Sequence, residues 1–520
     1  MTSPIRSGNS QEDSENDHPS ESTPLLAESP VTTGTDSDAA GATTSKDDKP
    51  LPKVQVLLLC YARVVEPIAF FSIFPYINQM LQDNGELAEE DVGFYSGLIE
   101  SLFSLTQMLV MLFWGRLADR VGRKPVLVSS LVGVSLATGM FGLARAVWQM
   151  VLFRCVAGVF SGTIVTIRTM IAEHSTPRTQ ARSFSWFAFS GTLGIFVGPL
   201  IGGALADPAG QYPGAFGSVR FFQEYPYALS SIVVGCIGLT AVLTSALFVE
   251  ETLPESLKRS RDKRRSENGG ANGNVNGDAE SGAETEATKP RPHTTRELLK
   301  APGVGAVLYN WGHVMLLAYA YTAVVPVFWF TRPDLGGLGF TPLQISLFMG
   351  LTGLSQAIWL LLVFPPLQHR TGTNGVMRAC GNAYPFFMAM MPLLNVVVLI
   401  DTPASRTIFW IFAVVGLSLG PGVSMAFTAA QLAVNDVSPS PESLGMLNAL
   451  ALTGVSALRS FAPALFTSLF AVGVRGHIFG GQLVWVILVV LALGFTVSTR
   501  YMPPTSEKPP DAGESTDEDA

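Results

Sequence analysis

Long apolar stretches, most of about twenty residues or more, alternate with short polar connections over most of this 520-residue chain. A helix needs about 20 mostly apolar residues to cross a bilayer core of about 30 Å, so each stretch is long enough to span a membrane. The pattern predicts an all-α membrane protein with twelve transmembrane helices. Their predicted bounds are 54–81, 93–114, 126–144, 148–171, 183–206, 227–249, 303–330, 342–366, 376–399, 406–433, 444–472 and 479–501.

Three polar segments flank or separate these helices. Residues 1–52 and the acidic residues 503–520 are predicted to be disordered tails, and residues 251–302 a linker, because such polar segments cannot bury enough apolar surface to fold. Residues 53–250 and 303–502 then form an N-terminal and a C-terminal half, each with six helices. The N-terminal segment lacks the apolar core of a signal peptide.

The composition argues against several classes of protein. Only 14% of the residues are charged, against roughly 25% in soluble domains, and the mean hydropathy is +0.34, so an ordinary soluble enzyme is not expected. No basic patch indicates nucleic acid as a partner. The four cysteines lie singly in apolar segments, without the spacing of a disulfide framework or a metal site. We therefore expect no cofactor and no bound metal.

Lysine and arginine are unevenly distributed among the connections. They concentrate after the second and fourth predicted helices and at the start of the linker, whereas the connection after the first helix is acidic. Cationic loops remain on the cytosolic side, so both termini and the linker are predicted to be cytosolic. The cations that carry this argument are Arg116, Arg120, Arg123, Lys124, Arg178, Arg182, Lys258, Arg259, Arg261, Lys263, Arg264 and Arg265.

A weak internal repeat supports the division into two halves. Residues 104–107 (Ser-Leu-Thr-Gln) of the second helix correspond to residues 353–356 (Gly-Leu-Ser-Gln) of the eighth, and Pro199 of the fifth corresponds to Pro463 of the eleventh. Two parallel repeats are a recurring plan of transporters, with the substrate site near the midplane between them.

The segment that follows the second predicted helix reads Gly-Arg-Leu-Ala-Asp-Arg-Val-Gly-Arg-Lys, and we call residues 115–124 the signature segment. Its glycines permit a tight turn and close helix approach, and its aspartate can cap a helix or accept from an arginine. The segment resembles the signature loop of the major facilitator superfamily, which implies the major facilitator fold and a role in conformational switching. The alternative is a purely topological cationic loop. The residues concerned are Gly115, Asp119, Arg120, Gly122, Arg123 and Lys124.

The fifth predicted helix has glycines four apart, which create a flat stripe for close helix packing, and a proline that bends the helix. This spacing resembles the motif shared by exporters of the superfamily, and the resemblance favours antiport over symport. The residues are Gly194, Gly198, Pro199, Gly202 and Gly203.

Charged residues inside the predicted helices are candidates for proton coupling and for the cavity wall, since a charge within the membrane is costly. Glu66 and Arg63 share a face of the first helix, where they can pair permanently or exchange partners between states. Glu100 is expected nearer the outer face, as an entry-side proton site or a rim residue. Arg154 and Arg168 lie on one side of the fourth helix, and anchoring at the membrane interface is the alternative for both.

Several neutral polar residues of the second half are also candidates for the cavity wall. Asn310, His313 and Tyr321 fall on one side of the seventh helix, although a single histidine more often packs than carries protons. The other candidates in this half are Gln356, Asn448 and Arg459. The aromatic residues Phe70, Phe74, Tyr321 and Trp329 are candidate walls for an organic substrate.

The N-terminal tail contains Glu-Ser-Thr-Pro-Leu-Leu at residues 21–26. It resembles an acidic dileucine sorting signal, in which Glu21, Leu25 and Leu26 would recruit a sorting adaptor. The resemblance favours the vacuolar or lysosomal membrane, with the plasma membrane as the alternative.

Within the superfamily, the chain resembles the twelve-helix drug:proton antiporter group. The string from Arg63 to Tyr76 is similar to fungal members near the zinc-induced-facilitator-like branch. The linker has only His293 where plant members of that branch are histidine-rich, so zinc transport is not transferred to this chain. The resemblance implies a monomeric, proton-coupled antiporter that exports or sequesters a small organic molecule, with protons and the lipid bilayer as its other partners.

Three other functions stay open at this stage. One is a facilitative or proton-symporting nutrient carrier, and another is a non-transporting membrane sensor. A membrane enzyme is the third, although the sequence has no nucleophile elbow, metal motif or phosphate loop to support it.

Overall fold

The computed structural model describes residues 51–85, 87–253, 295–439 and 441–503, and every regular element in these ranges is a helix. The helices are α1 (Lys53–Phe71), α2 (Ile77–Gly85), α3 (Glu89–Val121), α4 (Arg123–Phe141), α5 (Val147–Phe160), α6 (Thr163–His174), α7 (Pro177–Ala204), α8 (Pro208–Gln211), α9 (Pro213–Phe216), α10 (Arg220–Glu224), α11 (Ala228–Phe248), α12 (Thr295–Lys300), α13 (Val304–Phe330), α14 (Pro342–Ile358), α15 (Phe364–Leu399), α16 (Pro403–Leu419), α17 (Met425–Asp436), α18 (Pro441–Arg475) and α19 (Leu483–Ser498). Short 3-10 or π turns occupy Pro333–Leu335, Trp359–Val363, Gly420–Ser424 and Thr499–Tyr501.

Eleven helical stretches of the described chain are long and apolar enough to cross a membrane. One of them, Pro342–Leu399, has 58 residues, which as a single helix would measure about 87 Å, far more than one bilayer. Gly372 interrupts it with a φ of 69° and a ψ of 170°. This stretch therefore makes two crossings, and the twelve predicted helices are confirmed.

Three of the predicted helices are broken. The first changes direction at residues 72–76 between α1 and α2, where Pro75 lies, and the fourth breaks at Ser161 and Gly162 between α5 and α6. The tenth passes through the 3-10 turn Gly420–Ser424, which contains Pro421, between α16 and α17. Proline and glycine interrupt a helix at tolerable cost only where neighbouring protein satisfies the freed backbone groups, so these breaks lie in the protein interior.

The glycine-rich helix α7 packs against α1 and α14. A Cβ at Gly194 would lie 2.8 Å from the carbonyl oxygen of Val64, and one at Gly202 would lie 1.8 Å from that of Ser72. A Cβ at Gly203 would lie 2.5 Å from the carbonyl oxygen of Pro342 in the second half. Only glycine permits this separation of the backbones, so the stripe determines how closely α7 approaches both neighbours.

The two halves meet along α3 with α18 and along α7 with α14. We call the end of the molecule that carries the signature segment the basic face and the opposite end, where α3 begins, the acidic face. At the acidic face, Arg332 pairs with Glu89 at 3.1 Å, and Arg475 pairs with Asp91. Nearer the centre, the Ser101 hydroxyl accepts a 2.9 Å hydrogen bond from the backbone amide of Ala464. Among the described residues, the polar contacts between the halves therefore lie at the acidic face and near the middle.

Candidate functional site

A cavity of about 390 Å³ lies between the two halves. It is lined by α1, α3, α6 and α7 of the first half and by α13, α14, α17 and α18 of the second. Its charged side chains are Arg63, Glu66, Glu100 and Arg459. The cavity lies between the halves, where the repeat predicts a substrate site, and its volume is that of a site for a small organic ligand.

Glu66 is 7% exposed, and both of its carboxylate oxygens accept hydrogen bonds. The amide of Gln107 in α3 donates to Oε1 at 2.7 Å, and the Thr163 hydroxyl in α6 donates to Oε2 at 2.7 Å. Arg63 forms no ion pair with Glu66 within 4.0 Å. Its Nε and Nη1 atoms have no hydrogen-bond partner among the described residues, and its guanidinium lies 5.2 Å from the ring centre of Phe187. In this conformation Glu66 is bonded to other helices rather than to Arg63.

The break between α5 and α6 builds the surroundings of Glu66. It leaves the carbonyl of Ser161 free of the helix, and Gln107 donates to this carbonyl at 3.2 Å and to the Ser161 hydroxyl at 3.0 Å. The Ser130 hydroxyl accepts from the backbone amide of Gly162 at 3.2 Å. The break also places Thr163 against Glu66. The sequence pattern indicates Gln107 only as part of the repeat and gives no indication of Ser161 or Thr163. The signal that could have indicated them is the pair Ser161-Gly162 inside an apolar helix.

Glu100 and Arg154 are each 2% exposed, so Glu100 is not a rim residue and Arg154 does not extend to the membrane interface. The Arg154 guanidinium lies 5.2 Å from the ring centre of Phe70 and 4.7 Å from that of Phe103. Arg459 of the second half lies 4.7 Å from the same Phe70 ring. Phe70 is therefore flanked by cations from both halves, and both arginines attract the Glu100 carboxylate. Glu100 has no hydrogen-bond partner among the described residues.

Not all predicted cavity residues face the cavity. Tyr321, Gln356 and Arg459 line it, but Asn310 and His313 face α19. The Ser498 hydroxyl donates to Oδ1 of Asn310 at 2.9 Å, and Nε2 of His313 lies 2.9 Å from the carbonyl oxygen of Leu491. The expectation that Asn310, His313 and Tyr321 share one lining face is wrong, because the first two residues bind the last helix instead.

Arg154, Asn448 and Arg168 also lie away from the cavity lining. Asn448 accepts from Gln431 at 2.9 Å and donates to Asn435 at 3.1 Å, so it joins α18 to α17. Arg168 is exposed, and its guanidinium lies 5.9 Å from the ring centre of Phe184. The aromatic candidates Phe70, Phe74, Tyr321 and Trp329 all line the cavity.

The signature segment is mostly helical rather than a loop. Helix α3 continues to Val121, so Gly115, Asp119 and Arg120 lie within it, and Lys124 lies in the first turn of α4. Only Gly122 departs from the helical conformation, with a φ of 124°. Polar residues are compatible with a helix once it extends beyond the apolar core of the bilayer, which explains why the hydropathy pattern placed its end too early.

Arg123 connects the signature segment to two other helices. It pairs with Asp119 and, at 3.2 Å, with Glu173 at the end of α6. Glu251, just after α11, accepts from the backbone amides of Arg123 at 2.9 Å and Lys124 at 3.1 Å and so caps α4. The sequence predicts Asp119 either as a helix cap or as an arginine partner. The structure shows the second role, with Glu251 as the cap that was not predicted.

The predicted sorting residues Glu21, Leu25 and Leu26 lie outside the described residues, as does most of the linker.

Comparison with known proteins gives consistent matches. The model of the Major Facilitator Superfamily matches residues 59–463. The efflux pump azaK of Aspergillus niger is 44% identical over 468 residues, which cover 88% of this chain and 89% of azaK. The protein Zinc induced facilitator-like 1 of Arabidopsis thaliana is 26% identical over 86% of this chain and 90% of its own length. The crystal structure of a D-xylose-proton symporter superposes with a TM-score of 0.62 at 12% identity, covering 86% of this chain and 97% of the symporter, and it therefore supports the fold alone.

Proposed function

Because the chain belongs to the Major Facilitator Superfamily, whose members are membrane transporters, we propose that it is a proton-coupled antiporter that exports or sequesters a small organic molecule by alternating access. The observation that carries this proposal is the placement of two buried carboxyl groups, Glu66 and Glu100, in one cavity between the halves. Ionisable groups inside a membrane protein commonly form proton pathways. The similarity to an efflux pump supports export as the direction.

In this proposal the basic face is cytosolic, following the distribution of lysine and arginine. The ion pairs of Arg332 and Arg475 then lie on the side away from the cytosol, where they join the two halves. The signature segment takes part in the switch, since Arg123 joins α3 to the ends of α6 and α4. Rearrangement of these charges between the two states would set their balance.

The two carboxyl groups have different surroundings, and this supports different roles for them in the transport cycle. Both oxygens of Glu66 are occupied by Gln107 and Thr163 from neighbouring helices. Glu100 faces the cavity beside the second half's Arg459 without a hydrogen bond. Movement of α18 relative to α3 would change the charge next to Glu100 directly, because Arg459 belongs to α18. Both are proposed proton sites, with Arg63 as the neighbouring cation.

The proposal is tested in vesicles that contain the full chain, with an imposed pH gradient and dyes of each charge class: rhodamine 6G, 1,4-dihydroxyanthraquinone and anthraquinone-2-sulfonate. We expect uphill movement of at least one dye, opposite to the proton gradient and abolished by a protonophore. Glu66→Gln or Glu100→Gln should stop uphill movement and spare exchange of dye for dye, because glutamine does not take up a proton. Glu224→Gln is the control, since Glu224 pairs with Arg145 at the exposed acidic face.

Two results would overturn the proposal. Uphill movement of a dye in the same direction as protons would identify a symporter. Dye movement that does not depend on the pH gradient would identify a facilitative carrier. Unchanged uphill transport in Glu66→Gln alone would transfer the proton site to Glu100. We further propose a monomer in the vacuolar or lysosomal membrane, delivered by an adaptor that binds Glu21, Leu25 and Leu26.

A further inference from the structure

A second, smaller chamber of about 120 Å³ adjoins the central cavity within the second half. The two spaces share part of their walls, so the chamber lies directly beside a ligand in the cavity. The shared residues are Ala318, Tyr321, Thr322, Thr352, Gln356 and Phe427. The chamber is therefore a side extension of the proposed transport site.

The chamber differs from the cavity in its charge. Among the described residues, its lining contains no aspartate, glutamate, lysine, arginine or histidine. Three of the four charged residues of the cavity belong to the first half, and the fourth, Arg459, directs its guanidinium at Phe70 of the first half. Charge is thus concentrated on one side of the site, and the chamber on the other side is neutral.

The chamber nevertheless presents unused hydrogen-bonding groups. The Tyr321 hydroxyl is shielded from solvent and has no partner among the described residues. The side-chain amide of Gln356 likewise makes no hydrogen bond to a described residue, and it faces both spaces. A buried hydroxyl without a partner is costly, and a ligand that supplies an acceptor or a donor removes that cost.

Apart from the hydroxyl residues Thr322, Thr352 and Ser424, the remaining walls are apolar and largely aromatic. The ring of Tyr321 lies 4.9 Å from that of Phe387 at an interplanar angle of 37°. Tyr384 and Phe427 add further aromatic surface, and Met388 supplies a polarisable contact. Such walls favour a planar aromatic ligand. A charged group would lose its hydration there without a counter-ion, which excludes it from the chamber.

We propose that this chamber holds the neutral, planar aromatic part of the substrate, whose carbonyl or hydroxyl groups hydrogen-bond to Tyr321 and Gln356. This inference rests on the proposed transport function and names its substrate class. It separates the two tasks of the site, since protons are taken up by Glu66 and Glu100 in the first half and the uncharged substrate is recognised in the second.

The test compares three probes with the same ring system and different charge: neutral 1,4-dihydroxyanthraquinone, anionic anthraquinone-2-sulfonate and a trimethylammoniomethyl anthraquinone cation. Binding to the purified full chain is followed by quenching of tryptophan fluorescence, since Trp329 lines the cavity. We expect the neutral probe to bind most tightly. Tyr321→Phe and Gln356→Leu should each weaken it about fivefold, the loss expected for one neutral hydrogen bond. Tyr309→Phe, on the exposed side of the same helix, should leave binding unchanged.

Tighter binding of the anion would overturn the inference and assign recognition to Arg63 and Arg459, and tighter binding of the cation would assign it to the two glutamates. Suppose that Tyr321→Phe and Gln356→Leu both elute as wild type in gel filtration. Unchanged affinity of both for the neutral probe would then show that the substrate does not bind in the chamber. Absence of binding by the neutral probe would refute the proposed class. The neutral probe could bind with the expected loss of affinity in the two variants while transport does not depend on the pH gradient. That result would refute antiport but would leave the assignment of the chamber unchanged.

Discussion

The side-chain amide of Gln107 lies 2.7 Å from Oε1 of Glu66 and donates a hydrogen bond to it. The same amide nitrogen lies 3.2 Å from the carbonyl oxygen and 3.0 Å from the hydroxyl oxygen of Ser161, at the break between α5 and α6, so its two N–H groups are shared among three acceptors. One side chain of α3 therefore connects a carboxylate of α1 with the backbone of a broken helix. Because α3 also packs against α18 of the second half, the helix that bonds to Glu66 also forms part of the interface between the halves.

Replacing Gln107 by leucine should destabilise the folded protein. The change removes the donor from a buried carboxylate oxygen, which costs about 1.5–3 kcal/mol for a charge-assisted hydrogen bond. The measurement is the midpoint of thermal unfolding of the purified protein, which should fall. Gln180→Leu is the control, because that side chain is exposed at the basic face. Equal midpoints for the two variants would show that the Gln107 hydrogen bonds do not stabilise the first half.

Gly122 and Gly115 should respond differently to alanine. Gly122 has a φ of 124°, and a Cβ there would lie 2.5 Å from the Glu251 carboxylate that caps α4, so Gly122→Ala should cost at least about 1–2 kcal/mol. At Gly115, which is helical, a Cβ would meet only Val165 at 3.9 Å, and alanine should stabilise the helix by up to about 1 kcal/mol. The measurement is the midpoint of thermal unfolding of each variant, compared with that of the wild type. A Gly122→Ala midpoint as high as that of Gly115→Ala would contradict this prediction.

The ion pairs at the acidic face should hold this side of the molecule closed. Arg332 and Arg475 are largely exposed, so each pair contributes at most about 1 kcal/mol to the closed state. Replacing both arginines by glutamine should therefore increase the population open at the acidic face by several-fold, up to about thirtyfold if both contribute fully. The measurement is the distance distribution between spin labels at Ala215 and Ala404, in a background without the native cysteines.

The control for the acidic-face experiment is Arg145→Gln. Arg145 pairs with Glu224 at the same face, but both residues belong to the first half. Its distance distribution should match that of the labelled parent. A double variant of Arg332 and Arg475 that also matches the parent would show that apolar packing of α3 against α18 closes this face without the ion pairs.

The dileucine signal predicts a change of membrane. Replacing Leu25 and Leu26 together by alanine should move a fluorescently tagged chain from the vacuolar or lysosomal membrane to the plasma membrane, because an adaptor would no longer recognise the tail. Replacing Leu51 by alanine, outside the motif, provides the control. Vacuolar localisation of the double variant would show that the signal lies elsewhere.

Much of the architecture could be predicted from the sequence because the bilayer imposes a simple requirement. A helix must present about 20 apolar residues to span it, and this length pattern is visible without any tertiary information. Cavity residues such as Glu66 and Tyr321 could be predicted from the sequence for a related reason. An ionisable side chain in an apolar helix is costly and indicates a special environment, although its partner is not evident from the helix itself.

The sequence by itself therefore determined twelve helices, a repeat of two halves and the helices that contribute charge. Tertiary structure decided which side chains meet. It directed Asn310 and His313 to α19, brought Glu251 to the start of α4, and placed Gln107 and Thr163 on Glu66. The physical reason is that apolar content indicates the environment of a whole helix and not the direction of each side chain. Hydrogen bonds between residues as far apart in the sequence as Glu66 and Thr163 depend on the rotation of each helix about its axis. That rotation is set by close packing at glycines such as Gly194 and Gly202, and by the break at Ser161.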